Sequence, residues 1–89
     1  MSEQIEEWFD QADNLLFNEN KYDQAQQIYE KILAQDASNI DAINSIAYCV
    51  KYRAKNKPDF DELKQLYDRS LSLDPEDIEA NFNLGLMYL

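Results

Sequence analysis

The chain contains no histidine. That removes the commonest general base, the usual activator of a nucleophilic side chain and the commonest zinc ligand. Cys49 is the single cysteine. No imidazole is available to raise its thiolate fraction, and Ala47, Tyr48 and Val50 around it point to a half-buried, inert packing position. Gly85 is the only glycine, so no glycine-rich phosphate loop can form. The acids gather at the starts of predicted helices, where they complement the dipole, and none has calcium-loop spacing. No catalytic residue, cofactor site or metal site is expected, which leaves non-covalent recognition.

The net charge is −10, from 18 acids and 8 bases. Such a field repels nucleic acid and anionic membrane and tolerates a basic or neutral partner; it also simply keeps a protein in solution. One cysteine cannot form an intrachain disulfide. With no signal-peptide pattern and no run of about 20 apolar residues, an intracellular, cytoplasmic setting is expected. Half of the bases, Lys51, Arg53, Lys55 and Lys57, fall within seven residues. This basic knuckle reads either as a dock for an acidic partner or as a solvated helix end whose charge suits the dipole.

The elements that must position any site follow from a self-match at an offset of 38 residues. Tyr22, Ala25, Tyr29, Ile32 and Leu33 align with Phe60, Leu63, Tyr67, Ser70 and Leu71. Asp36-Ala37 aligns with Asp74-Pro75, and Asn39-Ile40-Asp41-Ala42 with Asp77-Ile78-Glu79-Ala80. A register this long without a gap means one structural unit used more than once. Apolar spacing predicts five helices. The first buries Ile5, Trp8, Phe9, Ala12, Leu15 and Leu16, is capped by Ser2 and is closed by Asn18-Glu19-Asn20. The second spans 22–35 and buries Ala25, Ile28, Tyr29, Ile32 and Leu33. The third starts near Ile40, capped by Ser38 or Asn39, buries Ile43, Ile46, Ala47 and Val50, and continues to Lys55. Pro58 stops it, and Asp59 with Glu62 caps the fourth, lined by Phe60, Leu63, Leu66, Tyr67, Ser70 and Leu71. Asp74-Pro75-Glu76-Asp77 opens the fifth, which holds Ala80, Leu84, Gly85 and Tyr88.

Tyr22-x-x-Ala25-x-x-x-Tyr29, Phe60-x-x-Leu63-x-x-x-Tyr67 with Asp74-Pro75, and Ala80-x-x-x-Leu84-Gly85-x-x-Tyr88 resemble the tetratricopeptide repeat, a helix–turn–helix unit of about 34 residues. The resemblance implies an all-α fold: antiparallel helix–turn–helix repeats stacked as a short right-handed solenoid of five helices. One domain, 1–89, would hold repeat 1 (about 5–38), repeat 2 (about 39–76, with a lengthened inter-helix turn) and a half repeat (77–89). Leu63 and Ser70 depart from the family's small apolar residues. In the first helix, either Trp8 and Ala12 or Phe9 and Asp13 take the places of Ile43 and Ala47. Ala12 is preferred, because an Asp there would be buried without a partner. The end of the chain at Leu89 suits a fragment of a longer array, a capping fifth helix, or two copies covering each other through that helix.

The resemblance also implies a peptide-binding concave face built from the first helix of each repeat. By register this gives Glu7, Asp10 and Asn14, with Phe17 as a further candidate, then Asp41, Asn44, Tyr48 and Tyr52, and finally Glu79, Phe82, Asn83 and Leu86. The asparagines would bond a ligand backbone and the aromatics offer flat amphipathic area; alternatively these are merely polar helix surface. No base stands where a clamp for a carboxylate-terminated chaperone tail needs one, which disfavours that adaptor role. The expectation is a non-catalytic interaction scaffold taking a basic or amphipathic peptide in an acidic groove. An architectural piece of a larger assembly, touching through its ends, is the alternative. A targeting module appended to an enzyme comes third.

Overall fold

The computed structural model describes residues 3–53 and 60–77, and among these every regular element is a helix. Helix α1 (Glu3–Asp13) runs into a π-helical turn, Asn14–Asn18. Helices α2 (Tyr22–Gln35), α3 (Ile40–Arg53) and α4 (Phe60–Leu73) follow. The described residues thus hold four helices rather than five. The expected fifth helix lies outside them beyond Asp77, as do Ser2, Pro58, Asp59 and the expected extension of α3 to Lys55.

The helix ends have local causes. Asn20 adopts φ 55°, the left-handed conformation an asparagine tolerates best after glycine. The Lys21 N–H then donates to the Leu15 carbonyl at 2.9 Å. That span is one residue wider than the usual closure of an α-helix, because the turn it closes is π-helical. At the start of α3 it is Asn39, not Ser38, that caps: its Oδ1 accepts from the Ala42 N–H at 3.0 Å.

Helices α2 and α4 each have 14 residues and start 38 residues apart, at Tyr22 and Phe60. Ala25, Tyr29 and Ile32 are buried, and so are their counterparts Leu63, Tyr67 and Ser70. The turns that follow match bond for bond. Asp36 N–H donates to Ile32 O and Asp74 N–H to Ser70 O, both at 2.8 Å; Asn39 N–H donates to Asp36 O at 3.1 Å and Asp77 N–H to Asp74 O at 3.0 Å. One pair breaks the symmetry. Phe60, expected on the inner face, is 54% exposed, whereas Tyr22 is partly buried. In the same first turn of α4, Glu62 pairs with Arg53 at the end of α3 at 3.4 Å.

Each helix packs on its neighbours in sequence, so α3 lies between α2 and α4. Its buried stripe is accordingly wider than the spacing of Ile43, Ile46, Ala47 and Val50 implied: Ala42, Asn44 and Cys49 are buried as well. Arginine side chains tie neighbouring helices together. Arg53, at the end of α3, donates to Gln26 Oε1 of α2 at 2.7 Å and to Glu62 of α4 at 3.4 Å, with Asp23 of α2 at 3.7 Å. Arg69 of α4 donates to the Ala37 carbonyl in the α2–α3 turn at 3.0 Å. No helix among the described residues is long and apolar enough to cross a membrane.

Candidate functional site

A groove of ≈ 400 Å³ runs between the end of α1 and the outward face of α3. Phe9, Asp13, Leu16 and Phe17 form one wall; Asp41, Asn44, Ser45 and Tyr48 form the other. On α3 these residues recur at steps of three, one and three, which is one helix face. The π turn buries Leu16 while leaving its neighbour Phe17 62% exposed. The Phe17 ring meets Tyr48 edge-on at 5.5 Å, and Tyr48 meets Tyr52 at 4.4 Å. Tyr52 is itself 46% exposed. An aromatic row therefore crosses from the first helix to the end of the third. Burial, then the nearby Tyr52 and Tyr22, hold the Tyr48 phenol above its ordinary value.

The α1 wall is braced from beneath by α2. The Tyr29 hydroxyl donates to Asp13 Oδ1 at 2.5 Å, within the range of a charge-assisted bond, and the Phe9 ring packs on Tyr29 at 6.1 Å. Burial, reinforced by the Asp13 carboxylate, pushes the Tyr29 phenol far above its usual range. Asp13, a charge for which the sequence offers no evident partner, sits partly buried with one. Ala12 is fully buried as expected.

The structure divides the expected site residues. Asp41, Tyr48 and Phe17 line the groove, and Tyr52 extends it. Asn44 also lines it, with each end of its carboxamide already engaged once: its Oδ1 accepts from Ser70 Oγ at 2.8 Å and its Nδ2 donates to Asp77 at 2.9 Å. Glu7 and Asp10 are exposed on α1 and Asn14 on the π turn, and all three are absent from the groove lining. Asn14 turns back on its own π turn, donating to Glu19 and accepting from Asn18. Glu79, Phe82, Asn83 and Leu86 lie outside the described residues. Phe9, Asp13 and Ser45 were missed, and a signal for the first two existed. Ala12 precedes Ala47 by 35 residues, and that same step leads from Asn44 to Phe9, from Tyr48 to Asp13 and from Tyr52 to Phe17. The set Glu7, Asp10 and Asn14 assumes a step of 34.

In the basic knuckle, Arg53 is held by α2 and α4, and Lys51 Nζ stands 5.4 Å from the Tyr52 ring centroid; Lys55 and Lys57 lie outside the described residues. A second hollow of ≈ 310 Å³ beside Arg53 includes Lys21 and Asp23, and Lys21 pairs with Glu19 at 3.3 Å. Among the described residues no group of three or more His, Cys, Asp or Glu is placed to hold a metal ion.

Cys49 is fully buried, rather than half-buried, and burial pushes its thiol up to about 12. At pH 8 its thiolate fraction is then about one in ten thousand. A thiol reagent is expected to label the native protein at least about a hundredfold more slowly than the urea-unfolded chain. Equal rates would show that the site is open to solvent.

No protein-family model matches the chain, and no curated protein matches it.

Proposed function

We propose that this chain is a helical-repeat scaffold of the tetratricopeptide kind, stacked as an antiparallel right-handed solenoid, that binds a basic or amphipathic helical segment of a protein partner without catalysis. The matched burial and turn bonding of α2 and α4 support the repeat. One observation carries the binding reading: an exposed aromatic row, Phe17–Tyr48–Tyr52, borders a groove whose charged lining residues are Asp13 and Asp41, with no base among them. Aromatic faces give an amphipathic helix apolar area at low entropic cost, and the acids select for basic side chains. A carboxylate-terminated tail would meet like charge there. An intracellular setting accords with the buried thiol.

Fluorescence anisotropy with a labelled, lysine-rich amphipathic peptide tests this. Asp41→Lys is expected to weaken binding by about tenfold, the equivalent of about 1.4 kcal/mol. An acidic peptide of the same pattern should not bind. Unchanged affinity in Asp41→Lys, or equal capture of both peptides, would refute the groove. A second reading, architectural contact through the ends of the stack, is favoured by Phe60 and Leu73, both exposed at opposite ends of α4.

A further inference from the structure

We propose that the groove is an aromatic cage for a methylated ammonium group, the side chain of a trimethyl-lysine in the bound peptide; this rests on the groove reading above. Phe17 and Tyr48 meet at 60° with centroids 5.5 Å apart, so their rings form two walls of a corner, and Phe9 lines the same hollow. Asp13 and Asp41 supply negative charge with no competing base in the lining. A cation over aromatic faces beside carboxylates is the arrangement that binds quaternary ammonium ions. The outer end of the aromatic row already holds an ammonium, Lys51 over Tyr52.

The aromatic walls favour the methylated form. An unmodified lysine brings three N–H donors, each of which needs an acceptor when it leaves water. The ring faces offer none, so an ammonium held against Phe17 and Tyr48 keeps only what Asp13 and Asp41 can accept, while Asn44 already gives its carbonyl to Ser70 and its amide to Asp77. A trimethylammonium group has no N–H to orphan. It keeps its full charge and presents methyl groups to the rings. The ≈ 400 Å³ of the groove holds the head and its alkyl stem.

The test is a titration of the full chain with choline chloride, followed by ring-proton NMR. Saturable shifts at Phe17 and Tyr48 are expected. Ethanolamine and the uncharged carbon isostere of choline should bind at least about fivefold more weakly. In the peptide assay, trimethylating one central lysine should tighten binding by about five- to tenfold. Phe17→Ala, at an exposed position where folding is checked by circular dichroism, should remove that preference. The proposal is overturned if the isostere matches choline, or if the unmodified peptide binds as well as the trimethylated one. Loss of choline shifts with intact, Asp41-dependent peptide binding would leave the groove standing and the cage refuted; failure of every peptide would remove both.

Discussion

Replacing Tyr29 with alanine is expected to lower the urea unfolding midpoint by about 3–5 M, a large part of the chain's total stability. Truncating a buried aromatic costs about 3–5 kcal/mol, and a domain this small unfolds with a slope near 1 kcal/mol per molar urea. Total stability at about 0.05–0.15 kcal/mol per residue offers little reserve. Tyr29 is fully buried where α1 and α2 meet, carries the Phe9 ring and holds the Asp13 carboxylate. Tyr29→Phe keeps the ring and removes the bond to Asp13, so a smaller loss of about 1.5–3 kcal/mol is expected. A midpoint within 1 M of the parent for Tyr29→Ala would mean that the α1–α2 contact does not carry the fold.

The same phenol sets an alkaline limit. Its folded pKa lies above the 10.0 of a free tyrosine, and the Cys49 thiol is pushed from 9.0 to about 12. Below pH 9 both groups are protonated in folded and unfolded chains, and their contribution is fully present. Above it the unfolded state releases protons that the folded state retains. Stability then falls by about 1.4 kcal/mol per pH unit for each such group. Unfolding midpoints should be flat to about pH 9 and drop steeply by pH 12. Cys49→Ala should delay the onset towards pH 10, where tyrosine begins to titrate.

The second large effect concerns Asn44 and Ser70. Ser70 is fully buried and Asn44 is 6% exposed. Asn44→Leu, close to isosteric, strands the Ser70 hydroxyl and removes a donor to Asp77; about 2–3 kcal/mol of stability should be lost. Ser70→Ala strands one lone pair of Asn44 and should cost about 1–2 kcal/mol. The double variant, with no buried polar group left to orphan, should cost no more than Asn44→Leu alone, giving a coupling of about 1–2 kcal/mol in urea melts. Additive losses would show that the bond at 2.8 Å is not formed in solution. Since Asn44 lines the groove, any loss of peptide affinity in Asn44→Leu should be small; a large loss would mean that its carboxamide reaches the ligand.

Three of the pairs that the self-match identified are buried in both helices. Ala25, Tyr29 and Ile32 against Leu63, Tyr67 and Ser70 could be paired from spacing alone, because burial on a helix face has a period that residue type records. Ser70 looked like a defect. Its partner, Asn44, is 26 residues away, and no local pattern encodes a bond between two helices. Arg53 is similar: its charge was legible, but not its hold on Gln26 and Glu62, which requires α2, α3 and α4 to be side by side.

The expected five helices are four among the described residues, but composition and periodicity alone established that the described chain is helical, most of its buried positions and its acidic character. These depend on contacts within one turn or on charge that needs no partner. The rotation of α1 about its axis was a tertiary outcome. Ala12 had to face α2 for Tyr29 to reach Asp13, and that turned Phe9 and Asp13 into the groove and left Glu7, Asp10 and Asn14 outside it. A one-residue change of register moves a side chain about 100° around a helix. Avoidance of a buried charge already favoured Ala12 at the helix contact, but which neighbouring residues then face the groove was fixed only by close packing.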